Sequence, residues 1–98
     1  MPMHIHYTTR FMHEVDEQAD YQAQYSPARA SLFVDNFFRQ IDSLKRNPHL
    51  GRKVPEIGNE AVRELIFRQF RLVYQLVSAE RIDVLTLQTG LRPLRLSL

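Results

Sequence analysis

The sequence predicts an α+β domain, with two antiparallel helices packed on a four-stranded, mainly antiparallel sheet in the order β-α-α-β-β-β. Two amphipathic stretches between residues 11 and 44 and three strand-like runs almost end to end between residues 63 and 87 carry that expectation. With 98 residues, 44% of them hydrophobic and 24% charged, the chain suits one domain over 1–98, because a second core would have too little surface to bury.

The first element is His4-Ile5-His6-Tyr7-Thr8-Thr9, a β-prone alternation that reads as a short strand. Its histidines, two apart, share a face and could chelate a metal. No third ligand follows nearby, so they read as solvent-facing, and no metal or other cofactor is expected. From about Phe11 to Gln24, the residues Phe11, Val15, Ala19 and Ala23 recur every fourth position among acids, the pattern of an amphipathic helix. Ser26 as N-cap and Pro27 at the first helical position start a second helix. Its stripe is Phe33, Phe37, Ile41 and Leu44, widened by Val34 and Phe38, and Asn47-Pro48 stops it.

Residues 47–60 hold two prolines and two glycines without a stable period, and they read as a loop of functional length carrying the basic pair Arg52-Lys53 close to Glu56. Three runs follow: Arg63–Phe67, Phe70–Val77 and Ile82–Leu87. The short gaps between them make an antiparallel meander the economical arrangement. Strict alternation puts Phe70, Leu72, Tyr74 and Leu76 on one face of the middle run, and Arg71, Val73, Gln75 and Val77 on the other, half-polar face.

Charge is unevenly divided. Residues 1–38 carry two arginines against five acids, whereas residues 39–98 carry eleven basic groups against six acids. Such a bias fits an anionic partner, either nucleic acid or an acidic polypeptide, or else ordinary solvation of a sheet surface. The absence of cysteine excludes a disulfide scaffold and any thiolate metal site. No apolar run reaches 18 residues and the amino terminus lacks a secretory pattern, so the expected protein is soluble and cytoplasmic, with no membrane partner.

The segment Pro48-His49-Leu50-Gly51-Arg52-Lys53-Val54-Pro55-Glu56, followed by Arg63-Glu64-Leu65, Phe70-Arg71-Leu72-Val73-Tyr74 and Gly90-Leu91-Arg92, resembles the RelE/ParE superfamily of type II toxin-antitoxin toxins, closer to ParE. The likeness spans nearly the whole chain, and the order of elements agrees with it. It implies a growth-inhibiting toxin held inactive by a cognate antitoxin. The superfamily has two branches, a RelE-like one that cleaves messenger RNA on the ribosome and a ParE-like one that poisons DNA gyrase.

Scission of RNA by its own 2′-hydroxyl needs a base, positive charge around the crowded phosphate, and an acid for the departing oxygen. By resemblance, Arg71 and Arg92 match the phosphate-holding arginines of the nuclease branch, and Glu56 falls where some members place a carboxylate base. Nuclease members commonly place a Tyr or His shortly after the second arginine. Here Arg92 is followed by Pro93-Leu94-Arg95-Leu96-Ser97-Leu98. An arginine cannot serve as the acid, because it stays protonated. His49 or Tyr74 would have to be recruited, and alternation puts Tyr74 on the face opposite Arg71. A structural use of Arg71 and Arg92, pairing with strand carboxylates such as Glu64 or Asp83, is the competing reading.

The expected function is therefore that of a toxin that binds a protein target, DNA gyrase, and is neutralised by an acidic antitoxin. Arg52, Lys53, Arg63, Arg71, Arg92, Leu94 and Leu96 are the candidate contacts to target or antitoxin. The tail residues Leu91, Leu94, Leu96 and Leu98 offer apolar anchors for a segment that folds on binding. The alternative is a ribosome-dependent endoribonuclease acting on messenger RNA through Arg71, Arg92 and Glu56. A third reading is a detoxified member or simple binding module.

Overall fold

The computed structural model of the protein describes residues 3–89. Strand β1 (His4–Tyr7) leads into helices α1 (Thr9–Ala23) and α2 (Pro27–Ser43), and strands β2 (Arg52–Lys53), β3 (Val62–Phe67), β4 (Phe70–Ser78) and β5 (Arg81–Thr89) follow. The α+β class, the helix pair and the antiparallel meander are as expected. The sheet is mixed and has five strands rather than four, in the order β1-β5-β4-β3-β2, with β1 parallel to β5 and the other pairs antiparallel. The extra strand, β2, is only two residues long and lies between Pro48 and Pro55, too short to show a period; its pairing with β3 is what holds it extended.

Both helices start on side-chain caps. The Thr8 hydroxyl accepts the Phe11 N–H at 3.1 Å, and the Ser26 hydroxyl accepts the Arg29 N–H at 3.2 Å. Thr8 also joins helix to sheet, through contacts of its Oγ1 with the Val84 and Leu85 carbonyls at 2.9 and 3.0 Å. Beyond β1 the outer edge of β5 is met by α1, where one oxygen of the Glu14 carboxylate accepts the Leu87 N–H at 3.0 Å and the Thr86 hydroxyl at 2.7 Å. A side chain thus satisfies backbone that a strand would otherwise pair.

One face of the sheet carries the main core. Phe11 and Val15 of α1 and Phe37, Ile41 and Leu44 at and beyond α2 pack with Leu72, Tyr74, Ile82, Val84 and Leu87. The predicted stripes are these contacts, with Phe33 partly buried beside them and Ala23 exposed at the end of α1. Aromatic rings meet edge to face across the layers, Phe33 to Phe70 at 5.3 Å and Phe37 to Phe67 at 5.4 Å between centroids.

The opposite face was expected to be half-polar, and nothing in its alternation indicates a cover. The segment after β2 folds over it, and Val54 and Ile57 cover Val62, Val73 and Leu85 in a second, smaller core. Arg71 and Glu64 are buried under this cover. No described helix is long and apolar enough to cross a membrane, and among the described residues no three His, Asp or Glu side chains converge as a metal site.

Candidate functional site

The residues singled out from sequence gather where β2, β3 and β4 lie side by side. Register sets the meeting: Arg52 lies opposite Glu64, Lys53 opposite Arg63, and Glu64 opposite Val73, two residues from Arg71 on β4. Residues two apart on a strand share a face, so Glu64 and Arg71 project to the same side.

Arg71 sits at the centre, with its side chain 5% exposed. Its Nε donates to Glu64 Oε2 at 2.7 Å, and its Nη2 lies 2.6 Å from the same oxygen. Its Nη1 and Nη2 donate to Glu56 Oε2 and Oε1 at 2.7 and 3.0 Å. The Glu64 side chain is fully buried, and its other oxygen accepts from Arg52 Nε at 2.8 Å. The result is an alternating chain, Arg52–Glu64–Arg71–Glu56, with no net charge. Hydrogen bonds to Glu56 are the largest influence raising the guanidinium's pKa above its ordinary value, opposed by burial and supported by Glu64. Arg71 is a fixed cation.

A second set of contacts braces the loop that carries this chain. The Tyr74 hydroxyl donates to the Pro48 carbonyl at 2.8 Å and accepts the Gly51 N–H at 2.9 Å. Arg63 Nη1 donates to the Gly51 carbonyl at 2.9 Å, while its Nε is buried without an acceptor among the described residues. Gly51 is required by close approach: a Cβ there would lie 2.6 Å from the Glu64 carbonyl oxygen and 2.8 Å from the Tyr74 ring. Tyr74 packs in the helix-side core, on the face opposite Arg71. Burial raises its pKa above the usual phenol value, only partly offset by the Gly51 hydrogen bond and by Arg63.

Structure therefore brings Arg52, Glu56, Arg63 and Arg71 into one knot and places Lys53 beside it, exposed on β2. His49 is exposed. Asp83, the other proposed partner of Arg71, pairs with Arg81 at 2.8 Å. Arg92, Leu94 and Leu96, with Leu91 and Leu98, lie outside the described residues. Sequence reasoning treated Glu64 and Gly51 only in passing. Their signal is an acid at the centre of a strand between arginines, and a glycine between Leu50 and Arg52 where no turn type demands one.

Pro48, Gly51, Arg52, Glu56, Arg63, Glu64, Arg71 and Tyr74, all within the segments that carry the family resemblance, take part in this knot, and comparison with known proteins agrees with the resemblance. A family model for the ParE toxin of the type II toxin-antitoxin system parDE matches residues 5–92. Among solved structures, the chromosomal ParDE toxin-antitoxin system from P. aeruginosa is similar, with a TM-score of 0.71 over 90% of this chain and 96% of that chain; at 20% identity the likeness is one of fold. No curated protein is significantly similar in sequence. The protein belongs to the ParE toxin family of type II toxin-antitoxin systems.

Proposed function

We propose that the chain arrests growth in the cytoplasm by binding a protein target, DNA gyrase, and not by cutting RNA. The observation that supports this reading is the enclosure of Arg71 between Glu56 and Glu64. A phosphate approaching that guanidinium would meet two carboxylates already seated on it. At about 5 Å and an effective dielectric near 20, each unit of like charge opposes the approach by roughly 3 kcal/mol.

Two of the other candidate catalytic groups, Glu56 and Tyr74, are also engaged. Both oxygens of Glu56 accept from Arg71, which opposes its use as a base. The hydroxyl of Tyr74 is spent on Pro48 and Gly51 on the far side of the sheet. Arg52, Lys53 and Arg63 form a basic edge suited to the acidic segment of a cognate antitoxin, with Arg92, Leu94 and Leu96 proposed for the same contact.

The test pairs two assays on purified toxin. Inhibition of gyrase supercoiling with trapped cleaved DNA is expected, and no cutting of messenger RNA on translating ribosomes. Ribosome-dependent cuts without an effect on gyrase would replace this reading with the nuclease one.

A further inference from the structure

The β3–β4 turn is Arg68-Gln69, and Arg68 has φ of 56°, the only non-glycine residue with positive φ among those described. Two-residue hairpin turns with left-handed backbone favour Gly, Asn or Asp, since a Cβ crowds the neighbouring carbonyl. Residues kept in such a conformation cluster at functional sites. Here the strain holds an exposed guanidinium 5.6 Å from the centre of the Phe67 ring, at the mouth of a cleft.

That cleft lies between α2 and the ends of β3 and β4. Leu32, Phe33, Phe67 and Phe70 supply its apolar wall, Arg29 and Arg68 stand on its lining, and no carboxylate lines it. Leu32 is 64% exposed, as is neighbouring Tyr25, whose ring lies under Arg29 at 5.8 Å and meets Tyr21 edge to face. Exposed tyrosine, leucine and arginine thus form one continuous patch, a composition that favours a protein contact.

Size and shape narrow the occupant. At about 180 Å³ the cleft is below the range of roughly 300–1,000 Å³ usual for small-molecule sites, and it matches one large side chain. Its phenylalanines are partly buried and engaged edge to face, Phe33 with Phe70 and Phe67 with Phe37, unlike the open ring faces on which single-stranded bases stack. Arg29 and Arg68 have no ion-pair partner among the described residues and no carboxylate lines the cleft, so carboxylates on the partner would complement them. Arg68 also lies five residues along the chain from Arg63, about 16 Å at strand spacing, so this surface is distinct from the basic edge at Arg52 and Lys53.

We propose that this cleft is the docking site for the target protein, receiving one large apolar side chain presented between carboxylates on an acidic segment. The proposal rests on the reading of the chain as a target-binding toxin. Two substitutions test it, Arg68→Gly, which relieves the backbone and removes the charge, and Leu32→Asp, which repels an acidic segment from an exposed position.

Both variants are expected to fold, Arg68→Gly with a thermal midpoint at or above that of the wild type, and both are expected to bind the antitoxin as before. The concentration needed for half-inhibition of gyrase supercoiling should rise at least tenfold, and induced expression should no longer arrest growth. Folded variants that inhibit and arrest like the wild type would overturn the proposal. Parallel loss of antitoxin binding would overturn the assignment to the target and give the cleft to the antitoxin. A wild type that arrests growth without affecting gyrase would retire gyrase as target, and growth arrest by the two variants would then judge the cleft. A wild type that arrests nothing would sink both.

Discussion

Arg71→Ala is predicted to be a stability mutant before it is anything else. The substitution removes the three nitrogens that hold Glu56 and Glu64 and leaves the fully buried Glu64 carboxylate with only Arg52, whose side chain is 62% exposed. Breaking a buried pair by deleting one partner costs about 3–5 kcal/mol, because the other charge stays in a poor solvent. A domain of this size has about 5–15 kcal/mol in all. With about 4–8 °C per kcal/mol, the thermal midpoint of unfolding should fall by roughly 12–40 °C. Far-ultraviolet circular dichroism at pH 7 measures both, the midpoint in a thermal melt and the free energy in a urea titration. Replacing the pair together, Arg71→Met with Glu64→Leu, should recover most of the loss, since no buried charge then remains and Glu56, 30% exposed, can turn to water. If Arg71→Ala lies within about 1 kcal/mol of the wild type, the knot is not the structural centre described here. The outcome bears on function too. Loss of toxicity in Arg71→Ala has meaning only beside a stability measurement.

Three further outcomes follow from the same geometry. Gly51→Ala should destabilise by about 2 kcal/mol or more, because its methyl meets the Glu64 carbonyl and the Tyr74 ring below contact distance; thermal unfolding would show it, and an unchanged midpoint would contradict the close approach. Tyr74→Phe should cost about 1–3 kcal/mol by leaving the Gly51 N–H and Pro48 carbonyl without their hydroxyl, as read from urea midpoints. The folded pKa of Tyr74 is raised, so its contribution is complete below the unfolded value near 10 and is lost as pH climbs from there through the folded value. Stability in urea should accordingly fall as pH rises above about 10, and Tyr74→Phe should flatten that fall. Arg52→Ala removes the partner of one buried Glu64 oxygen while leaving Arg71 on the other, and a cost of about 1–3 kcal/mol in urea unfolding, below that of Arg71→Ala, is expected.

Much of this fold was legible because its signals are local. Ser26-Pro27 marks the start of α2 through a hydroxyl cap and a ring that needs no donor, and the observed helix begins there. The Phe37, Ile41 and Leu44 spacing names the buried face without reference to the sheet. Strand β2 escaped because two residues have no period, and only Glu64 and Arg63 across from them hold them extended. The burial of Arg71 escaped for a related reason. Alternation assigns a face but not what covers it, and the cover comes from Val54 and Ile57, residues of a loop with no repeating pattern. Glu64 as a partner of Arg71 could be foreseen from strand pairing, whereas Glu56 required the loop to close over the sheet. The gap between Phe67 and Phe70 places a turn at Arg68-Gln69, but neither residue is one that marks the left-handed backbone Arg68 adopts.

Glu14 shapes how this molecule meets others. A bare stretch of β5 would act as a template on which another chain could lengthen the sheet, but the carboxylate already holds the amide such a visitor would need first. The flanking strands, four residues on one side and two on the other, are poor foundations for further growth. Among the described residues, recognition is therefore left to shape and charge, the features that distinguish one protein surface from another, and this stretch of β5 is a poor seed for indiscriminate β-aggregation.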